Sequence, residues 1–182
     1  MKKNALIIAL LAAAGFMSTS AQAADGTITF TGEIQDVTCP ITGAANFAVD
    51  LLPVQPSSLG ADGKVAGAKP FSIKVGDGGS PTTCPTNTKV AIVFDTTSPK
   101  ISPAGNLKNT VSDDHAEHVE VQILDAAAGN APIDLRNGDK TTEVLVAGGA
   151  AEMKFMAQYI AVGAPATAGL VDTSVGYTVT FP

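Results

Sequence analysis

The stretch Ala24-Asp25-Gly26-Thr27-Ile28-Thr29-Phe30-Thr31-Gly32-Glu33-Ile34-Gln35 alternates without a break. One face carries Gly26, Ile28, Phe30, Gly32 and Ile34, and the other Asp25, Thr27, Thr29, Thr31, Glu33 and Gln35. Side chains of a strand point in turn to its two faces, so this period of two is that of a half-buried β-strand. Gly32 is unusual on the apolar face. Glycine weakens a strand interior and marks a place where another backbone passes very close.

What precedes the strand is a leader. Lys2 and Lys3 are followed by the apolar run Ala5 to Phe16 and a polar stretch ending Ala21-Gln22-Ala23, the order of a secretory signal peptide over residues 1–23. Its apolar run falls short of the roughly 20 residues that span a bilayer. Removing it would leave 182 − 23 = 159 residues and take both lysines, so 11 basic residues become 9 against 17 acidic ones, a net charge of −8. That balance argues against nucleic acid or an anionic membrane as the partner. The length fits one domain.

Working onward, period-two segments recur at Asn46–Leu52, Pro70–Val75, Thr88–Asp95, Glu117–Asp125, Thr142–Ala147, Ala151–Val162 and Ser174–Phe181. Turn-forming clusters separate them, such as Pro56-Ser57-Ser58, Gly76-Asp77-Gly78-Gly79 and Asn137-Gly138-Asp139. Many short strands at this spacing predict an all-β sandwich or barrel. Cys39 and Cys84 are the only cysteines and both follow the leader, so they are expected to pair in an oxidising compartment. Closing a loop of this length is worth about 4 kcal/mol on chain-entropy grounds. A metal or redox role is disfavoured because the spacing is far from C-x-x-C and no further soft ligand accompanies them.

Chemistry finds little to stand on. His115 and His118, with Asp113, Asp114 and Glu117, form the one cluster a metal could favour, yet a polar acidic segment ahead of the strand-like Val119–Ile123 reads as a solvated loop. There is no G-x-S-x-G elbow, and Gly76-Asp77-Gly78-Gly79 lacks the lysine of a phosphate loop. No enzyme activity, cofactor or metal is expected.

Several segments together carry a family resemblance. Gly26–Ile34 followed by Cys39, the strand Val121-Gln122-Ile123-Leu124-Asp125, the strand Phe155-Met156-Ala157-Gln158-Tyr159-Ile160-Ala161 and a final alternating strand stand in the order found in pilin subunits of type 1 and related chaperone–usher fimbriae, which the chain resembles. The resemblance implies an incomplete immunoglobulin-like β-sandwich completed by a donor strand from a neighbouring subunit, with 24–37 as the donor extension and 38–182 as the pilin domain. Chaperone–pilin complementation is a known instance of strand addition. The implied partners are other copies and related pilins, a periplasmic chaperone and an outer-membrane usher, and the implied destination is the extracellular fimbrium by way of the periplasm. The implied donor residues are Gly26, Ile28, Phe30, Gly32 and Ile34.

The family also places a glycine fourteen residues from the C-terminus and an aromatic next to last. Gly169 and Phe181 stand there, with Val175, Tyr177 and Val179 completing the apolar face of the implied C-terminal contact strand. Two departures stand out. Gly26 replaces an apolar side chain and is expected to affect the start of exchange more than its product, and Phe181 lacks the hydroxyl of the usual tyrosine. The leading expectation is a shaft subunit. A minor adaptor or tip subunit, and a self-complete periplasmic binding domain, are the alternatives.

Overall fold

A computed structural model describes residues 39–77 and 84–181. They belong to one compact unit, Asp36–Pro182, built from β1 (Val65–Val75), β2 (Lys89–Phe94), β3 (Leu107–Lys108), β4 (Val119–Asp125), β5 (Ala131–Pro132), β6 (Val144–Leu145), β7 (Ala151–Ala161) and β8 (Tyr177–Thr180). Residues 1–23, expected as a leader, and the alternating stretch Ala24–Gln35 lie outside the described residues. A four-residue 3-10 turn at Pro56–Leu59 is the only helical element among them.

Two antiparallel sheets face each other. The first runs β1-β7-β4-β3 with β5 also on β4, and the second runs β6-β2-β8. The alternation read from the sequence sets which side chains meet. In β7, Ala151, Met153, Phe155 and Ala157 are buried while Glu152, Lys154, Met156 and Gln158 point away. Opposite them stand Val75, Ile73 and Phe71 of β1, in register with Ala151, Met153 and Phe155, and Ile123 of β4 in register with Ala157. β2 supplies the facing layer with Val90, Ala91, Ile92 and Phe94, all buried. Phe155 is stacked on Phe71 at 5.4 Å and edge-on to Phe94 at 5.9 Å, so one ring joins both sheets.

Polar groups in this core are matched. The Asp125 carboxylate is buried and accepts from the backbone N–H of Thr142 at 2.7 Å and of Ala127 at 2.9 Å. Thr141 exchanges bonds with Ile92, its hydroxyl accepting from the Ile92 N–H at 2.9 Å and its own N–H donating to the Ile92 carbonyl at 2.9 Å. Buried polar groups cost free energy unless paired, and here the pairing also ties the 141–142 segment to both layers.

Most segments read as strands are strands, with shifted ends. β1 begins five residues earlier than the alternation suggested. Its register slips between Ala66 and Lys69, where Gly67 has φ +69° and an added Cβ would lie 2.9 Å from Val54 and 3.0 Å from the Tyr159 ring. The segment expected as a strand from Glu117 starts at Val119, because His118 takes φ +55°, outside the β region. Asn46–Leu52 corrects the reading more fundamentally: it forms no strand. Its alternation is real, with Val49 and Leu51 packed on the core, but it has no ladder partner among the described residues. β3 and β5 were not anticipated, two residues being too short to display a period.

Candidate functional site

The unladdered segment marks the site. Residues 45–51 form one lip of a groove of about 780 Å³, and 171–177 form the other. Between them the floor is the hydrophobic core itself, with Ile73, Phe94, Leu107, Val121, Ile123 and Ala157 reaching the groove. Those residues come from both sheets, so the groove is a gap between the layers where a strand is missing. β8 has β2 on one side and no strand on the other among the described residues, which leaves a row of main-chain donors and acceptors without a ladder.

Each lip is held by different chemistry. The first is anchored at its start: Cys39 is bonded to Cys84 as expected, Ile41 bridges Val75, the Thr42 N–H donates to the Lys74 carbonyl at 2.9 Å and the Gly76 N–H donates to the Pro40 carbonyl at 2.8 Å. Beyond this anchor the chain bends at Gly43 and again at Ala45-Asn46, and it is exposed except at Val49 and Leu51. Phe47 is 43% exposed and lies 6.1 Å from Phe71, the outermost ring of a series that continues to Phe155.

The second lip is clamped along its length. The Asn109 amide donates to the carbonyls of Leu170 at 2.8 Å and Ala116 at 3.0 Å, and its oxygen accepts from the Asp172 N–H at 3.1 Å. The Thr110 N–H donates to the Asp172 carbonyl at 2.9 Å, and the Asp95 N–H to the Gly176 carbonyl at 2.9 Å. Gly169 is what lets the loop close: a Cβ there would lie 2.3 Å from the Ala116 nitrogen and the His115 carbonyl carbon. Gly169 is therefore outside β8, in the turn that positions the lip. Val175 is likewise extended but unladdered, while Tyr177 and Val179 lie in β8. Val175, Tyr177, Val179 and Phe181 are half-buried and pack on the core as one face.

A cross-tie joins the lips, the Tyr177 hydroxyl donating to the Ala45 carbonyl at 2.9 Å. A second hollow of about 200 Å³ lies beside it, bordered by Ile41, Thr42, Phe47 and Tyr177. Burial raises the pKa of the Tyr159 phenol on the β7 side of the groove. Thr173, between Val171 and Val175 on the clamped lip, has a buried hydroxyl oxygen with no hydrogen-bond partner among the described residues.

The donor residues expected from the sequence, Gly26, Ile28, Phe30, Gly32 and Ile34, lie outside the described residues. The family resemblance implied an incomplete sandwich open to a donor strand, but the sequence did not say which residues line the groove. The signal for one lip is present in Phe47, Val49 and Leu51, whose alternation is that of an ordinary strand. Nothing in the local pattern marks Thr173. His115 and His118 belong to the loop that clamps the second lip: His115 bridges Leu170, and the His118 carbonyl accepts from Val162.

The model of the family described as "Type-1 fimbrial protein, A" matches residues 51–182. The chain belongs to the type-1 fimbrial protein A family. It is a structural fimbrial subunit and not an enzyme. Curated relatives agree along the whole length. The major fimbrial subunit SMF-1 of Stenotrophomonas maltophilia is 35% identical over 89% of this chain and 95% of its own. The F17 fimbrial protein of Escherichia coli is 34% identical over 100% of this chain and 99% of its own. Among solved structures, the P pilus rod subunit PapA matches this fimbrial subunit with a TM-score of 0.60 at 16% identity, over 80% of this chain and 100% of its own. A chaperone–usher pilus structure matches at 0.59 and 17%, over 87% and 96%. At such identities these two speak to the fold, which they share with this chain.

Proposed function

We propose that this fimbrial subunit builds a pilus shaft by donor-strand exchange, the 26–34 segment of one copy filling the groove of the next. The observation that carries the reading is the groove of about 780 Å³, whose floor is core and whose flanking β8 edge lacks a ladder on its outer side among the described residues. The donor has complementary character. Moving Ile28, Phe30 and Ile34 from water into such a groove supplies roughly 5–9 kcal/mol before strand hydrogen bonds are counted. An exposed apolar groove with an open sheet edge invites aggregation, which supports transit through the periplasm under a chaperone and delivery through an outer-membrane usher to the extracellular fimbrium. The description of SMF-1 as a major subunit supports a shaft role over an adaptor role.

The test mixes the mature chain, residues 24–182, with a peptide of residues Ala24–Val37. The expected result is a heat-stable complex with the natural peptide and none with Phe30→Asp. Absence of a complex, or equal uptake of both peptides, would sink the reading.

A further inference from the structure

We propose that Asn137 is a site of self-modification: its side-chain amide closes onto the Gly138 nitrogen and is hydrolysed, so that the folded subunit gains a carboxylate there. Asn137 is exposed and Gly138 partly so, in the loop between the buried Leu135 and Thr141. The reaction needs two free groups, an asparagine amide carbon and the main-chain nitrogen that follows it. Neither the Asn137 amide nor the Gly138 N–H has a hydrogen-bond partner among the described residues. Gly138 has no Cβ to shield its nitrogen, and its φ of +66° is one that other residues reach only with strain. No other described asparagine combines these features. Asn106 and Asn109 commit their amides, the first to the Glu120 carboxylate at 3.0 Å and the second to the Leu170 and Ala116 carbonyls at 2.8 and 3.0 Å. Asn87 precedes Thr88, whose N–H is taken by the Pro85 carbonyl at 3.3 Å. Asn46 and Asn130 precede Phe47 and Ala131, whose Cβ atoms crowd the nitrogen.

The step balances with water as the only co-reactant, and nothing is oxidised or reduced. Hydroxide takes the Gly138 N–H proton, the nitrogen bonds to Asn137 Cγ, and Nδ2 leaves as ammonia with a proton from water. Water then opens the cyclic imide. Cleavage between nitrogen and Cγ gives aspartate, and cleavage between nitrogen and the main-chain carbonyl carbon gives isoaspartate, whose chain runs through Cγ. Anchors on either side hold meanwhile. The Leu135 N–H donates to the Gly105 carbonyl at 3.1 Å, and Thr141 donates to the Ile92 carbonyl and accepts from the Ile92 N–H, both at 2.9 Å. Residues 136–140 between them include none that is buried, so the loop absorbs the extra methylene of isoaspartate with the core intact. On an extracellular fimbria the carboxylate accumulates with the age of each subunit, and old and new parts of a fibre come to differ in charge at this loop.

The experiment incubates the exported chain in neutral buffer for weeks, digests it and follows every asparagine by mass spectrometry, with electron-transfer fragmentation to separate aspartate from isoaspartate. Wild type is compared with Gly138→Ala and with the wild-type chain held unfolded in urea. The expected result is loss of the intact Asn137 peptide from the folded wild type to a mixture of both products, with an unchanged urea midpoint for the converted chain. Gly138→Ala is expected to slow the loss about tenfold, through the added Cβ and the lost backbone freedom. Conversion confined to the unfolded chain would show that the folded loop holds Asn137 away from Gly138, and would overturn the inference. Aspartate without isoaspartate would mean direct hydrolysis with no ring closure, and equal conversion at Asn46 or Asn130 would trace the reaction to exposure alone; either outcome overturns it. So does an alanine variant that converts as fast as wild type, whatever its stability.

Discussion

Strand β1 of the first sheet and the first lip of the groove share one sequence pattern and differ in how they are paired. Phe71, Ile73 and Val75 in β1 and Phe47, Val49 and Leu51 in the lip both alternate apolar with other residues. The first set is laddered to β7 over nearly its whole length. The second set has no ladder among the described residues and leaves Phe47 43% exposed. Alternation therefore decides which face turns to the core, and only a neighbouring main chain makes the segment a strand. The lip has the alternation of a strand and no ladder partner among the described residues.

The largest test of that contrast replaces one inner and one outer ring of the aromatic series. Phe155→Ala, at a site 1% exposed and touching Phe71 and Phe94, is expected to destabilise the chain by about 3–5 kcal/mol in urea unfolding. Phe47→Ala should cost less than about 1 kcal/mol in the free chain and more once the groove is filled, since burial then depends on the incoming strand. Similar losses for the two in the free chain would mean that the lip is core already.

A smaller effect separates the two lips. Gly169→Ala forces a Cβ to within 2.3 Å of the His115–Ala116 backbone, so the clamp that holds 170–172 must shift. The expected cost is about 1–3 kcal/mol, with faster hydrogen exchange at Thr110 and Ala116, whose N–H groups donate to Asp172 and Leu170. Unchanged exchange there would show that the clamp does not depend on the glycine.

The smallest lies on the surface, away from both. Hydrogen bonds from Arg136 hold the Asp134 carboxyl down at about 2 from its usual 3.8. A carboxylate with a depressed folded pKa stabilises the fold above its unfolded value, and that contribution is lost as pH falls through the folded one. The loop 103–105, which receives the Arg136 guanidinium at the Pro103 carbonyl and the Leu135 N–H at Gly105, should loosen between about pH 4 and 2 by NMR titration. Arg136→Ala should move the Asp134 transition upward, and an unmoved transition would contradict the pairing.

How far the fold was legible follows from particular segments. The interiors of β4 and β7 stood out because each has one face in the core and enough residues to repeat a period. Cys39 and Cys84 were legible by elimination. β3 and β5 were not, being only two residues long, and His118 hides the start of β4 behind a backbone conformation that no pattern of hydrophobicity records.

The sequence by itself determined the all-β class, the inward faces, the disulfide and, through the order of its segments, the fimbrial family, because these depend on local alternation and on residue identity. Tertiary structure alone decided that Asn46–Leu52 is a lip and not a strand, that Gly169 belongs to a clamp against His115 and Ala116, and that the Thr173 hydroxyl is buried with no partner among the described residues. The groove floor joins residues as distant as Ile73 and Ala157. Such a site is a property of what packs beside what, and a missing neighbour leaves no mark on the segment that awaits it.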